Sequence, residues 1–346
     1  MQKVYLLPKN EISVKFASSK YFKDHFILLG FIDNYKEAED IISLDNKLEK
    51  FDLLIISSPN YFNDIYKQLI LKNIPKEQIR FHSNKKDGLI SDINDIELLN
   101  CEPLSDSIFL NSLKNINKNK RIFLLGNGPS LDINDLDLLK NEITFAANKI
   151  FLAYENTTWR PTYYMVEDDL VYKQSYSKIS ELAESIKLFP QYSLNWEERI
   201  ENAYYFNMKY LPNRKDFPQF NPDPIDGMFW GSTVIYTMIQ WAIYLGCKEI
   251  YLLGLDFNFT ESSKYIINEK DRKDLICEGE VNHFHKDYRK IGEKWNLPNL
   301  NIQLESFGKA KKYCRENGVK IYNASRKSKL DVFERINLDE LFNKEQ

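Results

Sequence analysis

Short apolar runs recur along the chain, each cut off by a polar or glycine-bearing turn. Residues 4–7, 26–32 and 53–57 read as buried strands, 61–72 as an amphipathic helix and 79–82 as a further strand. The rhythm starts again at residue 121. Strands are expected at 122–125, 144–148 and 162–166, with weaker ones at 186–189 and 204–210. A strongly apolar helix follows Gly231-Ser232-Thr233 and runs to Leu245, where Gly246 stops it. A buried strand at 248–253 comes next, then a helix over 306–316 closed by Gly318 and a short strand at 319–322. Strand–helix alternation of this kind predicts an α/β, Rossmann-like protein with mainly parallel sheets covered by helices on both faces.

The rhythm fades over residues 84–118 into Asn-, Lys- and Asp-rich sequence, which reads as a linker carrying one short helix near 106–113. Three parts result: a small Rossmann-like domain at 1–83, the linker at 84–118, and a larger domain at 119–346. In the small domain Gly30 and Asp33 place an acid after the second strand, a pattern similar to the N-terminal domain of sugar acetyltransferases. The first strand leads into Pro8-Lys9-Asn10 without a G-x-G-x-x-G turn, so a docking role suits this domain better than dinucleotide binding.

Composition removes several classes. The 346 residues carry a net charge of −3, which argues against a nucleic-acid binder. No apolar run approaches the ~20 residues a bilayer span needs. Cys101, Cys247, Cys277 and Cys314 show no paired spacing, so zinc and disulfide frameworks are not suggested and a cytoplasmic setting fits.

Four features fall at the C-terminal ends of expected strands, where open α/β sheets bind ligands. Gly126-Asn127-Gly128-Pro129-Ser130 ends the first strand of the larger domain; its glycines allow close backbone approach, and a following helix start would suit phosphate. Asn148 offers an amide to a base or ribose, or serves as a turn residue. Gly231-Ser232-Thr233 could hold phosphate, or simply supply Ser232 as an N-cap. Asp256, after Gly254-Leu255, orients a hydroxyl or caps its strand. Beyond it, Tyr265 lies in a polar loop and His283-Phe284-His285 supplies a candidate general base or a metal pair.

These blocks, with Phe145 to Asn148, the stretch 245–257 and the stretch 321–330, occur in an order that resembles the bacterial family 42 sialyltransferases. The related DUF115 family of motility-associated-factor flagellin glycosyltransferases shares it. The resemblance covers about residues 119–340 and implies a glycosyltransferase domain of GT-A-like variant fold. It implies a CMP-activated sugar, of sialic or other nonulosonic acid type, moved onto a glycan or protein hydroxyl with inversion and without metal. The donor would be held by Gly126, Asn127, Gly128, Ser130, Asn148, Asp168, Gly231, Ser232, Thr233, Asp256, Asn258 and Ser328. Tyr265 matches the second of two tyrosines on the leaving phosphate, and Asn258 replaces the first. The base matches His285 or His283, with His285 favoured.

Two other readings stand beside this one. Glu167-Asp168-Asp169 could bind Mg²⁺, as the related archaeal pterin pyrophosphokinases, which use ATP, would require. A non-catalytic scaffold in polysaccharide assembly is the third. Homo-oligomerisation and a peripheral place on the inner membrane face stay open.

Overall fold

The computed structural model describes residues 1–33, 40–57, 62–82, 89–90, 103–211, 216–267 and 273–343. The chain forms two compact units, Met1–Leu104 and Ser105–Gln346.

In the first unit, β1 (Gln2–Leu7), β2 (Phe26–Ile32), β3 (Ile41–Ile42), β4 (Leu53–Ile56), β5 (Ile79–His82) and β6 (Leu89–Ile90) form one sheet. Its order is β3-β2-β1-β4-β5-β6, parallel except for β6. Alternate residues of β1 and β4 feed opposite faces: Tyr5, Leu7, Leu54 and Ile56 enter one core, and Val4, Leu6, Leu53 and Ile55 the other. The chain leaves β1 directly into a helix, Glu11–Ser18, capped reciprocally by Asn10 and Ser13. This helix and Lys20–His25 were not expected from the apolar pattern, because each buries little apolar surface: Phe16 and Ser13 in one, Phe22 in the other. The expected 61–72 helix is Phe62–Leu71, and Tyr61 lies outside the described residues. Asp33 is buried at the end of β2, where its N–H donates to the Ile42 carbonyl at 3.2 Å.

The second unit is built on an eight-stranded sheet. Its strands are β7 (Arg121–Leu125), β8 (Ile143–Ala147), β9 (Tyr163–Met165), β10 (Ile186–Pro190), β11 (Ala203–Phe206), β14 (Glu249–Leu253), β18 (Lys320–Asn323) and β19 (Glu334–Arg335). They lie in the order β11-β10-β9-β8-β7-β14-β18-β19, and all pairs are parallel. The two intervening strands, β12 (Met208–Lys209) and β13 (Met228–Phe229), pair with each other alone. A small antiparallel sheet, β15 (Tyr265–Ile267), β16 (Lys273–Ile276) and β17 (Lys294–Asn296), is appended.

Central strands are apolar on both sides because both sides are covered. Ile122, Leu124, Phe145, Ile250 and Leu252 face one core; Phe123, Leu125, Ala146, Tyr251 and Leu253 face the other. The Val234–Tyr244 helix buries nine of its eleven side chains, seven of them in the first of these cores. That explains an apolar pattern without a polar face. Among the described residues no helix is long and apolar enough to cross a membrane.

Several boundaries differ from the sequence expectation. The segment read as a linker belongs in its described latter part to the second unit. Leu110 and Leu113 enter its core, and the N–H groups of Asn115, Asn117 and Asn119 bond the carbonyls of Tyr244, Leu245 and Gly246. Asparagines at 115 and 119 take positive φ of 61° and 64° to do so, which is why a polar, strand-poor sequence is still ordered. Residues 84–88 and 91–102 lie outside the described residues. The expected 204–210 strand is broken at Asn207, whose N–H turns to the Pro224 carbonyl at 2.9 Å. The 306–316 helix starts earlier, at Leu300, with Asn299 as its cap.

Candidate functional site

The strand order reverses between β7 and β14. From β7 the chain works outward through β8 to β11, then returns to β14 and continues through β18 and β19 on the other side. The loops leaving a reversal point diverge and open a crevice at the carboxyl ends of the strands. Gly126 to Ser130 leaves β7 there, and Gly254 to Phe257 leaves β14.

Glycine is required at 126 and 128 by contact. A Cβ at Gly126 would stand 2.5 Å from the Gly254 carbonyl oxygen, and one at Gly128 would overlap the Asp256 carboxylate. Asp256 clamps the turn by accepting from the Ser130 N–H at 3.1 Å and its Oγ at 2.9 Å. Burial raises the Asp256 carboxyl, and the Ser130 bonds oppose that rise. The helix after this turn does not begin at Pro129. It is the six-residue Ile133–Leu138, capped by its own Asp132, so the helix start expected to greet a phosphate is displaced and already holds a carboxylate.

Asn127 sits at the base of the turn, 8% exposed, with Nδ2 donating to the Ala147 carbonyl at 2.9 Å. That bond fixes the amide's orientation and leaves Oδ1 buried with no partner. Asn148 follows β8 at φ 55° and repeats the pattern: its carbonyl accepts from the Tyr164 hydroxyl at 2.6 Å, and its Oδ1 is buried without a partner. Both are acceptors lacking a donor. A bare phosphate oxygen has no hydrogen to give them, whereas a ribose hydroxyl or an exocyclic amine does.

The His283-Phe284-His285 segment is brought onto this turn by one backbone bond, Phe284 N–H to the Asn127 carbonyl at 3.0 Å. The two histidines then differ. His283 stacks flat on Tyr288, with centroids 3.7 Å apart and planes 4° from parallel. Burial first, then Arg289 and Lys149, pushes its pKa down to about 2, so it stays neutral. His285 is one-fifth exposed; its Nδ1 accepts from the Asp287 N–H at 3.1 Å and lies 3.9 Å from the Asp287 carboxylate. An accepting Nδ1 puts the proton of the neutral ring on Nε2. The segment is coil, so the strand-like metal pair that alternate histidines would form does not arise.

A cleft of about 710 Å³ opens beside the turn, walled by Pro129, Ser130, Ile133, Phe284, Arg326 and Lys327. Arg326 is committed: its fork grips Asp135 at 2.5 and 2.7 Å and reaches Asp339 at 3.0 Å, which holds it firmly protonated. Lys327 is exposed on the same wall.

The other expected residues are placed as follows. Ser328 is a staple between loops, donating to the Leu255 carbonyl at 2.6 Å and accepting from Asn323 Nδ2 at 3.0 Å. Thr233, not Ser232, caps the Val234–Tyr244 helix, with its side chain accepting from Ile235 N–H. Ser232 has φ 64°, its carbonyl takes Gln303 Nε2 at 2.9 Å, and a Cβ at Gly231 would run into Tyr236. Among the described residues, Ser232 and Phe257 are the only positive-φ residues other than glycine and asparagine; Phe257 follows the central strand β14 and Ser232 precedes the Val234–Tyr244 helix. Tyr265 lies on β15, the edge strand of the small sheet, 52% exposed, rather than in a loop. Asn258 is exposed.

The acidic triplet divides its tasks. Asp168 caps the Asp169–Ser180 helix and takes Asn296 Nδ2 at 2.9 Å, while Asp169 faces Lys173 at 3.9 Å. Glu167 turns to the opposite side, where Oε2 accepts from the Thr237 hydroxyl at 3.0 Å and Oε1 is buried without a partner. Burial pushes its pKa up to about 7. Among the described residues no group of three or more His, Cys, Asp or Glu side chains gathers as a metal cage.

Lys149, Tyr288, Arg289 and Lys327 were missed from the sequence. Lys149 directly follows Asn148, and Arg289 lies four residues past His285, but no motif marks either.

Residues 98–262 match a family model described as 6-hydroxymethylpterin diphosphokinase MptE-like, so this part of the chain is similar to an MptE-like domain. The match supports the DUF115 superfamily and spans the turn at 126–130, Asn148, the acidic triplet, 231–233 and Asp256. No curated protein and no solved structure matches the chain. The fold is α/β and Rossmann-like, and the name of the matched family is that of an enzyme that transfers diphosphate.

Proposed function

We propose that the chain is a glycosyltransferase that moves a nonulosonic-type sugar from a CMP-activated donor to a hydroxyl of a glycan or protein. The observation that carries this reading is the pair of buried, donor-seeking Oδ1 atoms on Asn127 and Asn148, in the turns that leave β7 and β8; the 710 Å³ cleft opens further along the first of these turns, at Pro129 and Ser130. They suit the hydroxyls and amino group of a nucleoside. Cytidylate then occupies the rim, and the sugar carbon faces the His285 side of the cleft.

In the displacement, the acceptor oxygen bonds to the anomeric carbon as the bond to the phosphate oxygen breaks, and CMP departs with the electron pair. The acceptor proton passes to His285 Nε2, which must first be free of its own proton. Asp287 provides for this: its carboxylate, 3.9 Å from Nδ1, need only close to hydrogen-bonding range to hold the Nδ1–H tautomer and leave Nε2 basic. One displacement inverts the carbon. His283, held neutral by burial and then by its cationic neighbours, is too weak a base for this task. CMP released from CMP-linked sugars, read by mass spectrometry, tests the reading; no release from any CMP-sugar with an acceptor present overturns it.

The family match favours a second reading, diphosphate transfer from ATP to a pterin alcohol. It requires Mg²⁺ and an Asp168 released from its helix cap. Formation of AMP from ATP and Mg²⁺ only when a hydroxymethylpterin is added would establish it in place of the first.

A further inference from the structure

Lys149, buried, and Arg289, half-buried, are two cations near the candidate site that the reaction scheme above does not use. Lys149 is 8% exposed, and its nearest partners are distant: Glu293 at 3.4 Å and Gln174 at 3.5 Å. Arg289 has, among the described residues, no side-chain hydrogen bond and no ion pair. Its guanidinium lies over the Trp295 ring, 4.3 Å from the centroid. Stacking satisfies the face of a guanidinium and leaves its in-plane N–H fork directed outward.

Between them is a polar recess of about 30 Å³, enough for roughly two water centres. Lys149, Arg289, Lys294 and Tyr288 line it against Asp168 and Asn296. The carboxylates nearby are spoken for: Asp168 by two helix N–H groups and Asn296, Glu293 by Lys149 and the Lys290 N–H. Tyr288 and Lys149 both line the recess, and Lys149 directly follows Asn148, the rim residue whose Oδ1 lacks a donor. Burying two cations with one loose ion pair between them is costly unless an anion joins them.

We infer that Lys149 and Arg289 form a binding site for a phosphate-class oxyanion, with the Arg289 fork gripping two of its oxygens and Lys149 a third. Arginine is suited to this by geometry, since its parallel N–H groups match two oxygens of a tetrahedral anion. The site goes beyond the donor reading, because it holds whether the oxyanion is a nucleotide's own phosphate or a free phosphate or pyrophosphate.

Calorimetric titration of the full chain with inorganic pyrophosphate, in chloride buffer at constant ionic strength, tests the site. Binding is expected in wild type, weakened at least tenfold in both Arg289→Gln and Lys149→Met and unchanged in Arg160→Gln, a cation that pairs elsewhere with Glu184. Arg289→Lys keeps the charge and loses the fork; it serves if the glutamine variant does not fold, and a severalfold loss is expected. No pyrophosphate binding by wild type, or binding by the Arg289 and Lys149 variants as tight as that of wild type, overturns the inference. The source is read by titrating CMP and cytidine. If the oxyanion is the nucleotide's phosphate, CMP competes with pyrophosphate and weakens in Arg289→Gln while cytidine does not; if it is a separate ligand, CMP and pyrophosphate bind together. Pyrophosphate binding that needs Arg289, with no CMP binding at all, sinks the donor reading and leaves this site standing.

Discussion

Replacing Glu167 by glutamine probes the one rim carboxyl whose burial leaves it without a cation. Its Oε2 has the Thr237 hydroxyl and its Oε1 has nothing. The folded chain therefore holds its proton up to about pH 7, against 4.5 for an ordinary glutamate. The sign follows from proton binding. Between those two values the folded state carries a proton that the unfolded state has lost, so stability falls as pH rises through that window. Below it the penalty is absent; above it the penalty is complete, on the order of 3 kcal/mol. Glutamine removes the charge but places an amide N–H where Oε1 had no partner, at a cost of about 1 kcal/mol. The variant should therefore be more stable by about 2 kcal/mol at pH 8 and level with or below wild type near pH 4.5. All five tryptophans, Trp159, Trp196, Trp230, Trp241 and Trp295, lie in the second unit, so urea denaturation followed by tryptophan fluorescence reads that unit alone. Curves for the two proteins that stay parallel from pH 4.5 to pH 8 would show that Glu167 ionises like a solvated carboxylate, and the burial argument would fail.

Other substitutions separate structural from chemical roles. Gly128→Ala should cost about 1–3 kcal/mol in the same urea assay, because the new Cβ displaces Asp256 from Ser130; an unchanged midpoint would refute the close-approach argument. Ser328→Ala should lower stability by about 1–2 kcal/mol while CMP affinity changes less than about twofold, since Ser328 ties loops together. A large affinity loss with full stability would return it to the donor contacts. In CMP-release assays His285→Ala should lose about 10²–10⁴-fold in turnover and His283→Ala far less; equal losses would contradict the assignment of His285 as the base.

Much of the scaffold was legible because buried parallel strands leave an unmistakable mark. Residues 26–32 and 79–82 read from the sequence coincide with β2 and β5, and Gly246 ends the apolar helix as expected. What failed had local order without an apolar signature. Asn115, Asn117 and Asn119 look like linker but cap a helix end through their backbone N–H groups. The site was legible only where chemistry follows directly on a strand: Gly126, Asn127, Asn148 and Asp256 converge, and His283 and His285 arrive through a backbone bond that no side-chain pattern encodes. Of the two readings of 231–233, phosphate holding or Ser232 as an N-cap, the capping one is displaced by a residue: Thr233 caps, and Ser232 takes φ 64°. Arg289 could not be foreseen, since its significance lies in a guanidinium stacked on Trp295 that has no ion pair among the described residues.

Binding of CMP in the absence of divalent metal tests the central claim most directly. Isothermal titration should give a saturable CMP signal in EDTA-treated buffer, weakened about tenfold by Asn148→Ala, the worth of one lost nucleoside hydrogen bond. No CMP binding under those conditions, together with saturable binding of ATP that appears only with Mg²⁺, would contradict the account.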